Sequence, residues 1–204
     1  MIKTNDIFVI DYSELRKFEE KCMIIAKKKL PFTYDRYGYS EEERLNKIFQ
    51  GEMAQCALRL FFEKESIIFE DYDDIRTDNY EQKDSWDFRI QTTNKKWLEL
   101  DIKSSMNRYN SKLTYLLNNN FTVPTDQIVK DITVQIFMDD TQKKFFIMGF
   151  VEKKDLAIKE NIGYLTNIKK PYYKKLIKYG QPISELKKTL GFNKYNSLDL
   201  LNFV

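Results

Sequence analysis

The chain has 204 residues, of which 42% are hydrophobic and 15% aromatic, so it can bury one sizeable core, and we predict a single domain. It contains no histidine. This absence excludes Ser/His/Asp and Cys/His nucleophilic catalysis, histidine-ligated zinc and nuclease chemistry with a histidine base. Any catalysis has to use carboxylates, lysine, hydroxyls or a metal ion bound through oxygen.

The formal net charge of +3 is distributed unevenly. Residues 151–204 contain 11 lysines and five acids, a net charge of +6, which leaves a net charge of −3 for residues 1–150. A basic C-terminal quarter on a mildly acidic body is typical of a protein that binds a polyanion and has a localised acidic site.

The sequence shows neither a membrane-spanning segment nor a disulfide framework. No run reaches the ~18 apolar residues of a spanning helix, and the N-terminus lacks the pattern of a signal peptide, so we expect a soluble cytoplasmic protein. Cys22 and Cys56 are two scattered thiols in helical patterns, and we predict that they are small buried apolar side chains.

The first third of the chain is predicted to be helical. Apolar residues recur at helical spacing from about Ser13 until Pro31. Ser40 and Glu43 have the spacing of a capping box, and the helix that they start continues to about Phe62. Glu52 falls within its apolar stripe, where a carboxylate is expected only if it is paired or binds a ligand.

The middle of the chain is predicted to be a sheet, because its apolar residues alternate with polar ones. A further helix is predicted over residues 184–190, so the fold class is mixed α/β (α+β). The predicted strands lie near residues 67–70, 86–91, 97–104, 132–138 and 144–151.

The second and third of these strands form a predicted hairpin with its turn at Asn94. Residues whose numbers sum to 188 then face each other, so Asp87 opposes Asp101 and Arg89 opposes Glu99. Alternation puts the apolar side chains on one face and the charged ones on the other. Lys103 follows Asp101 on the charged face.

Two directly opposed carboxylates destabilise a sheet by roughly a few tenths to 1 kcal/mol, so they call for a cation that holds both. Mg²⁺ fits, because it usually takes one or two carboxylates together with water and substrate phosphate. Lys103 would then meet the phosphate or orient the attacking water. The alternative is a solvated sheet face with the ion pairs Arg89/Glu99 and Asp101/Lys103.

These residues resemble the active site of the PD-(D/E)XK nuclease superfamily, which includes many restriction endonucleases. Asp87 matches the first acid, and Asp101-Ile102-Lys103 matches the acid-X-Lys element, with Trp86 where the eponymous proline would stand. Acid-X-Lys triplets also begin at four other acids, but only the copy at Asp101 lies in a convincing strand opposite an upstream acid. Those four are Glu19, Glu81, Glu152 and Glu185.

The resemblance covers about residues 40–151 and implies a three-layer core with a central mixed sheet between helices. Residues 1–39 and 152–204 would be a helical and a basic elaboration of that core. The resemblance implies Mg²⁺, with Mn²⁺ as a substitute, held by Asp87, Asp101 and the Ile102 carbonyl, with Glu52 as an additional ligand. It further implies DNA cleavage to 5′-phosphates, by a type II restriction endonuclease that acts as a homodimer, or by a junction-resolving, repair or mobile-element nuclease.

Other acids were also weighed as ligands, together with one amide. Glu99 would replace Asp101 if the register slipped by two residues. The acidic group Asp71, Asp73, Asp74 and Asp78 lacks the spacing of a calcium loop, which favours a solvated loop. Gln135, in a later strand, is a candidate to line the site, but the sequence favours a side chain that faces solvent or a covering loop.

Two segments are predicted to contact double-stranded DNA through amides, cations and aromatic rings. The first comprises Asn107, Arg108 and Lys112, and the second comprises Lys169, Lys170, Tyr172, Tyr173, Lys174 and Lys175. A non-catalytic nucleic-acid-binding protein with a nuclease-like fold is the alternative from another functional class. A phosphatase of small phosphoesters ranks third, because it gives the lysine-aromatic segment no role.

Overall fold

The longest helix in the described ranges begins at the predicted capping box, whereas the helix predicted from about Ser13 to Pro31 is divided into Tyr12–Leu15, Arg16–Phe18 and Glu19–Lys29. A computed structural model describes residues 1–33, 38–82, 84–107, 111–165 and 168–192. The Ser40 hydroxyl accepts the Glu43 N–H at 3.2 Å, and the Ser40 N–H donates to the Glu43 carboxylate at 2.9 Å, which completes the predicted capping box. The α-helices lie at Tyr12–Leu15 (α1), Glu19–Lys29 (α2), Glu41–Lys64 (α3), Tyr72–Ile75 (α4), Leu113–Leu116 (α5), Lys153–Leu156 (α6) and Leu186–Thr189 (α7).

Two sheets organise the remainder of the described chain. Their strands lie at Phe8–Asp11 (β1), Phe69–Asp71 (β2), Phe88–Gln91 (β3), Trp97–Met106 (β4), Asn120–Pro124 (β5), Ile132–Asp139 (β6), Lys144–Glu152 (β7), Ile162–Leu165 (β8) and Ile168–Leu176 (β9). The larger sheet has the order β1-β7-β6-β4-β3-β2, and the smaller one has the order β5-β9-β8. Only β4 and β6 pair in parallel; the other described pairs are antiparallel.

Each face of the six-stranded sheet covers its own hydrophobic core. On one face, side chains of α2 and α3 pack against alternate residues of β3, β4, β6 and β7, among them Phe88, Leu100 and Val134. On the other face, β5 and the short helices α5 and α6 pack against Phe137 and Met148. The helical layer therefore lies on the Phe88 and Leu100 side of the hairpin, and the charged alternate residues point the other way.

The predicted mixed α/β class is confirmed, but four strands were not predicted. β1 is only four residues long, and β5, β8 and β9 lie in segments rich in asparagine, lysine and tyrosine, where no clear alternation is present. The residues after 152 include β9, which pairs with β5 from the middle of the chain. None of the helices in the described ranges has the length and apolarity needed to cross a membrane.

Candidate functional site

The β3–β4 hairpin adopts the predicted register. Its four pairs run from Phe88 opposite Leu100 to Gln91 opposite Trp97, each with residue numbers that sum to 188. Phe88, Ile90 and Leu100 are fully buried beneath the helices, whereas Arg89 and Glu99 are half-buried on the opposite face. The alternation that assigned the two faces is therefore confirmed.

Asp87 meets β4 differently from the prediction. Its N–H donates to the Leu100 carbonyl at 3.0 Å, so Asp87 does not continue the ladder to face Asp101. Instead, its carboxylate accepts the Ile102 N–H. The predicted direct cross-strand pair is thus replaced by a side chain that reaches across the end of the hairpin to the backbone of β4.

This arrangement places the Asp87 carboxylate beside that of Asp101, where its negative charge is unfavourable. Burial, followed by repulsion from the Asp101 carboxylate, raises the pKa of Asp87 to about 7, although the Ile102 N–H and the Lys103 ammonium oppose the shift. Asp101 itself is paired with Lys103 at 2.6 Å. The hairpin therefore brings together two carboxylates and one ammonium group.

The donor set of this pair fits a hard divalent cation. Mg²⁺ needs only one or two protein carboxylates, because water and substrate phosphate supply its other ligands. Within the described ranges, no three His, Cys, Asp or Glu side chains are arranged to hold one metal ion. A site at Asp87 and Asp101 would accordingly be a two-carboxylate site, and the predicted contribution of the Ile102 carbonyl stays a prediction.

Glu52 is buried, as its place in the helical stripe predicted, but it has a different partner. Only 7% of the residue is exposed, and its carboxylate accepts a hydrogen bond from Lys29 of α2 at 3.0 Å. Burial raises the pKa of Glu52 to about 8 against the opposing effect of Lys29, and Asp73 raises it further. Because α3 covers the apolar face of the hairpin, Glu52 lies on the helical side, whereas Asp101 points to the other side.

The Lys29 ammonium is the centre of a buried ion network. It lies 3.0 Å from Glu52, 3.0 Å from Asp73 and 3.1 Å from Asp84, and only 13% of its side chain is exposed. Arg76 joins the same network through Asp73 at 3.1 Å and Asp84 at 2.6 Å. The contacts of Asp84 extend the network toward Asp87, whose pKa Asp84 also raises.

The acidic group in residues 71–78 is not the solvated loop that the sequence favoured. Asp71 is 5% exposed and binds Arg59 and Gln55, and Asp78 pairs with Arg76 at 2.8 Å. These carboxylates are neutralised by guanidinium groups, so they provide no open calcium loop.

The alternative ion pairs are found only in part. Asp101 does pair with Lys103, but Arg89 binds Glu70 instead of Glu99. Glu99 pairs with Lys130 at 2.9 Å. The β3–β4 register has not slipped, because Glu99 lies opposite Arg89 as predicted.

Two polar residues of β6 lie beside the site. Gln135, 3% exposed, is in register with Lys103, so it does not face solvent as the sequence favoured. Thr133 is in register with Asp101 and was not predicted from the sequence. Its buried hydroxyl has no hydrogen-bond partner in the described part of the chain. A threonine in a strand is too common for the sequence alone to single it out.

A cavity of about 580 Å³ adjoins this charged face, between β4 and the smaller sheet. Its volume lies in the range of pockets that bind small ligands, and its walls combine amides and hydroxyls with apolar side chains. Residues that line it include Lys103, Ser105, Asn107, Tyr115, Thr122 and Gln135.

The residues near β4 that were predicted to bind DNA differ in their exposure. Asn107 is 5% exposed, and its amide binds Asp139 at 2.7 Å and both backbone groups of Ser111. These bonds occupy the groups that were predicted to contact DNA. Lys112 is exposed, and Arg108 lies outside the described residues.

The second predicted DNA-binding segment forms β9. Tyr172 is 6% exposed and Tyr173 packs against the second core, so neither presents an open ring for stacking on a base. Lys170 is exposed and pairs with Asp126, whereas Lys174 and Lys175 contact backbone carbonyls. Lys169 belongs to β9, but its side chain lies outside the described residues.

Comparison with models of protein families found no family that matches the chain, and comparison with curated proteins found no protein that matches it. The residues of the hairpin and their geometry are therefore the basis for a functional proposal.

Proposed function

We propose that the protein is a metal-dependent endonuclease of the PD-(D/E)XK superfamily that hydrolyses phosphodiester bonds in double-stranded DNA. The observation that carries this proposal is the meeting of Asp87, Asp101 and Lys103 at the end of the β3–β4 hairpin. The burial of one acid beside another, with a single ammonium group paired to the second acid, favours an additional cation.

Local charge at the hairpin supports this proposal. The Asp101 and Asp84 carboxylates both raise the pKa of Asp87, and the Lys103 ammonium opposes them. Carboxylates that repel one another in this way attract a divalent cation.

Asp87, Asp101 and the Ile102 carbonyl would hold Mg²⁺, for which Mn²⁺ substitutes. When bound, the ion supplies Lewis-acid stabilisation of the phosphate and lowers the pKa of a water ligand. The Lys103 ammonium donates to a phosphate oxygen, where it stabilises the negative charge that develops in the transition state. The Ile102 N–H fixes the Asp87 carboxylate, so this ligand is oriented before substrate binds.

The substrate class follows from the surroundings of the site. The cavity beside Lys103 offers amide and hydroxyl groups that can hydrogen-bond base edges. The exposed side chains of Lys112 and of Lys170 in β9 suit phosphate contacts. A type II restriction endonuclease acting as a homodimer is our first choice within this class, and a junction-resolving, repair or mobile-element nuclease is the second.

Plasmid cleavage tests the proposal. We expect nicking or linearisation in Mg²⁺ or Mn²⁺, no cleavage in EDTA, and 5′-phosphate ends on the products. Lys103→Ala should lose on the order of 10²-fold or more in rate, because a preorganised charge at the phosphate is removed. The matched control is Lys130→Ala, which removes the ammonium group that pairs with Glu99. Full activity of Lys103→Ala would refute the assignment.

A non-catalytic nucleic-acid-binding protein is the second candidate. The observation that favours it is the 2.6 Å ion pair between Asp101 and Lys103, since each group already has a partner of opposite charge. This function predicts salt-sensitive DNA binding that is the same in Mg²⁺ and in EDTA, without hydrolysis on linear, supercoiled or branched DNA.

A further inference from the structure

The two cysteines, far apart in sequence, meet in the interface between α2 and α3. The Sγ atoms of Cys22 and Cys56 are 3.5 Å apart, although the residues are 34 positions apart in the chain. Both cysteines are free. A disulfide has an S–S distance of about 2.05 Å, so the sulfurs need to approach by roughly 1.5 Å to form one. The sequence prediction of two unrelated buried thiols is therefore incomplete.

The surroundings of the two thiols assign them different chemical roles. Cys56 is partly exposed, and the hydrogen bond with Cys22 together with the charge of Arg59 lowers the pKa of its thiol. Cys22 is 1% exposed, and the same hydrogen bond and its burial raise the pKa of its thiol. Since the thiolate is the nucleophile, Cys56 attacks first and Cys22 follows.

A small cavity is lined in part by both cysteines and limits the size of a reagent that can occupy it. Its volume is about 30 Å³, and its walls include Phe18, Lys21 and Gln55 in addition to both cysteines. A site that holds one water needs about 10–15 Å³ measured in this way, so hydrogen peroxide can enter. A tripeptide disulfide such as oxidised glutathione is far too large.

We propose that Cys22 and Cys56 are a peroxide-oxidisable pair that closes into an intrachain disulfide between α2 and α3. The Cys56 thiolate attacks hydrogen peroxide, so that an S–O bond forms, the O–O bond breaks and hydroxide leaves as water after protonation. Cys22, deprotonated, then attacks the Cys56 sulfenic sulfur; the S–S bond forms, the S–O bond breaks and a second water leaves. Two thiols are oxidised by two electrons, and one hydrogen peroxide is reduced to two waters.

This modification would lock the two helices together next to the buried ion network. Cys56 lies one helical turn after Glu52, and Lys29 of α2 binds Glu52 across the same interface. The proposal depends on the sulfur geometry and the cavity, so it holds whether or not the hairpin is a nuclease site.

The test uses the reduced full chain treated with hydrogen peroxide, then unfolded in an alkylating reagent and digested without reduction. We expect both thiols to be lost in each chain, a mass decrease of two hydrogens, and one crosslinked peptide pair that contains Cys22 and Cys56. If both thiols remain fully alkylatable after treatment of the native protein with hydrogen peroxide, the proposal is overturned. So would crosslinks found only between chains.

Variants separate the two roles. Cys22→Ser should retain a Cys56 sulfenic acid that dimedone traps once the peroxide-treated protein is unfolded in it, whereas Cys56→Ser should slow the oxidation of Cys22 at least about tenfold. Equal rates of Cys22 oxidation in the wild type and in Cys56→Ser would contradict the assigned order. Oxidised glutathione serves as the size control: we expect no mixed disulfide, and its formation would contradict the access restriction on which the oxidant class depends.

Discussion

Two acidic regions meet at the start of β3, and their carboxylates have different partners. In the network between α3 and residues 71–84, Glu52, Asp73 and Asp84 each lie within 3.1 Å of the Lys29 ammonium. In the hairpin, Asp87 accepts a backbone N–H and has no ion pair among the described residues. Asp101 shares the ammonium of Lys103.

This difference separates structural from functional acids of the same type. A buried carboxylate that is matched by the chain's own cations stabilises the packing of helices, because removal of either partner leaves an uncompensated charge. A buried carboxylate left beside another acid is costly for the fold and is typical of a functional site. Glu52 fits the first description because Lys29 pairs with it at 3.0 Å, although burial and Asp73 raise its pKa as well. Asp87, which has no ion pair among the described residues, fits the second.

The largest expected effect is on the network. Lys29→Met keeps the length of the side chain but leaves three carboxylates without their common ammonium group, so the free energy of unfolding should fall by about 3–5 kcal/mol. Urea denaturation followed by circular dichroism measures this change. Lys170→Met is the control, because both members of its ion pair with Asp126 are exposed, and it should cost no more than about 1 kcal/mol. Equal losses in the two variants would remove the distinction between the regions.

The next largest effect is on the rate of plasmid cleavage, measured for a substitution of one acid from each region. Asp101→Asn should reduce the rate of plasmid cleavage about 10²–10³-fold, because it removes a proposed metal ligand while keeping the side-chain shape. Glu52→Gln should change that rate less than about tenfold at an equal folded fraction and should lower stability instead. A loss in Glu52→Gln as large as in Asp101→Asn would show that Glu52 acts with the hairpin acids, as the resemblance implied.

A smaller effect concerns stability and pH. The folded-state pKa of Asp87, about 7, lies above the ordinary value of an aspartate, so ionisation of this carboxyl destabilises the fold as the pH rises from about 4 to 7. Asp87→Asn should therefore raise the melting temperature by a few degrees at pH 8 in EDTA, and the gain should vanish near pH 4. Asp140→Asn, at an exposed position, is the control. A gain that is independent of pH would contradict the assigned electrostatic origin.

The smallest effect concerns the basic surface. Lys174→Ala should weaken DNA binding similarly for all sequences and reduce the slope of log K against log salt by about 1. Tyr172→Phe should leave affinity unchanged, because the ring is buried. Fluorescence anisotropy over a series of salt concentrations measures both, and a large loss in Tyr172→Phe would restore the predicted stacking role of this residue.

The sequence predicted what depends on local pattern. The capping box set the start of α3, and strict alternation around a short turn set the hairpin register and the buried face that contains Phe88. The burial of Glu52 followed from its position in the helical stripe. These features depend on residues within a few positions of each other, so a linear reading can find them.

What the sequence could not provide is the identity of distant partners. Lys29 is the last of three consecutive lysines, and nothing in that run indicates that this one enters a buried network with Glu52 and Asp84. The sequence predicted that the amide of Asn107 contacts DNA, but in the fold this amide donates a hydrogen bond to Asp139. The bend of Asp87 onto the Ile102 N–H likewise depends on how the hairpin ends in three dimensions.

The central claim is that Asp87 and Asp101 together hold a divalent cation. A crystal soaked in Mn²⁺ and measured at the manganese absorption edge tests it most directly. We expect one anomalous peak in contact with both carboxylates, and we expect Asp101→Asn to abolish that peak. Anomalous density at Glu52 and Asp73 instead, or none near the hairpin at a Mn²⁺ concentration that supports cleavage, would contradict the claim.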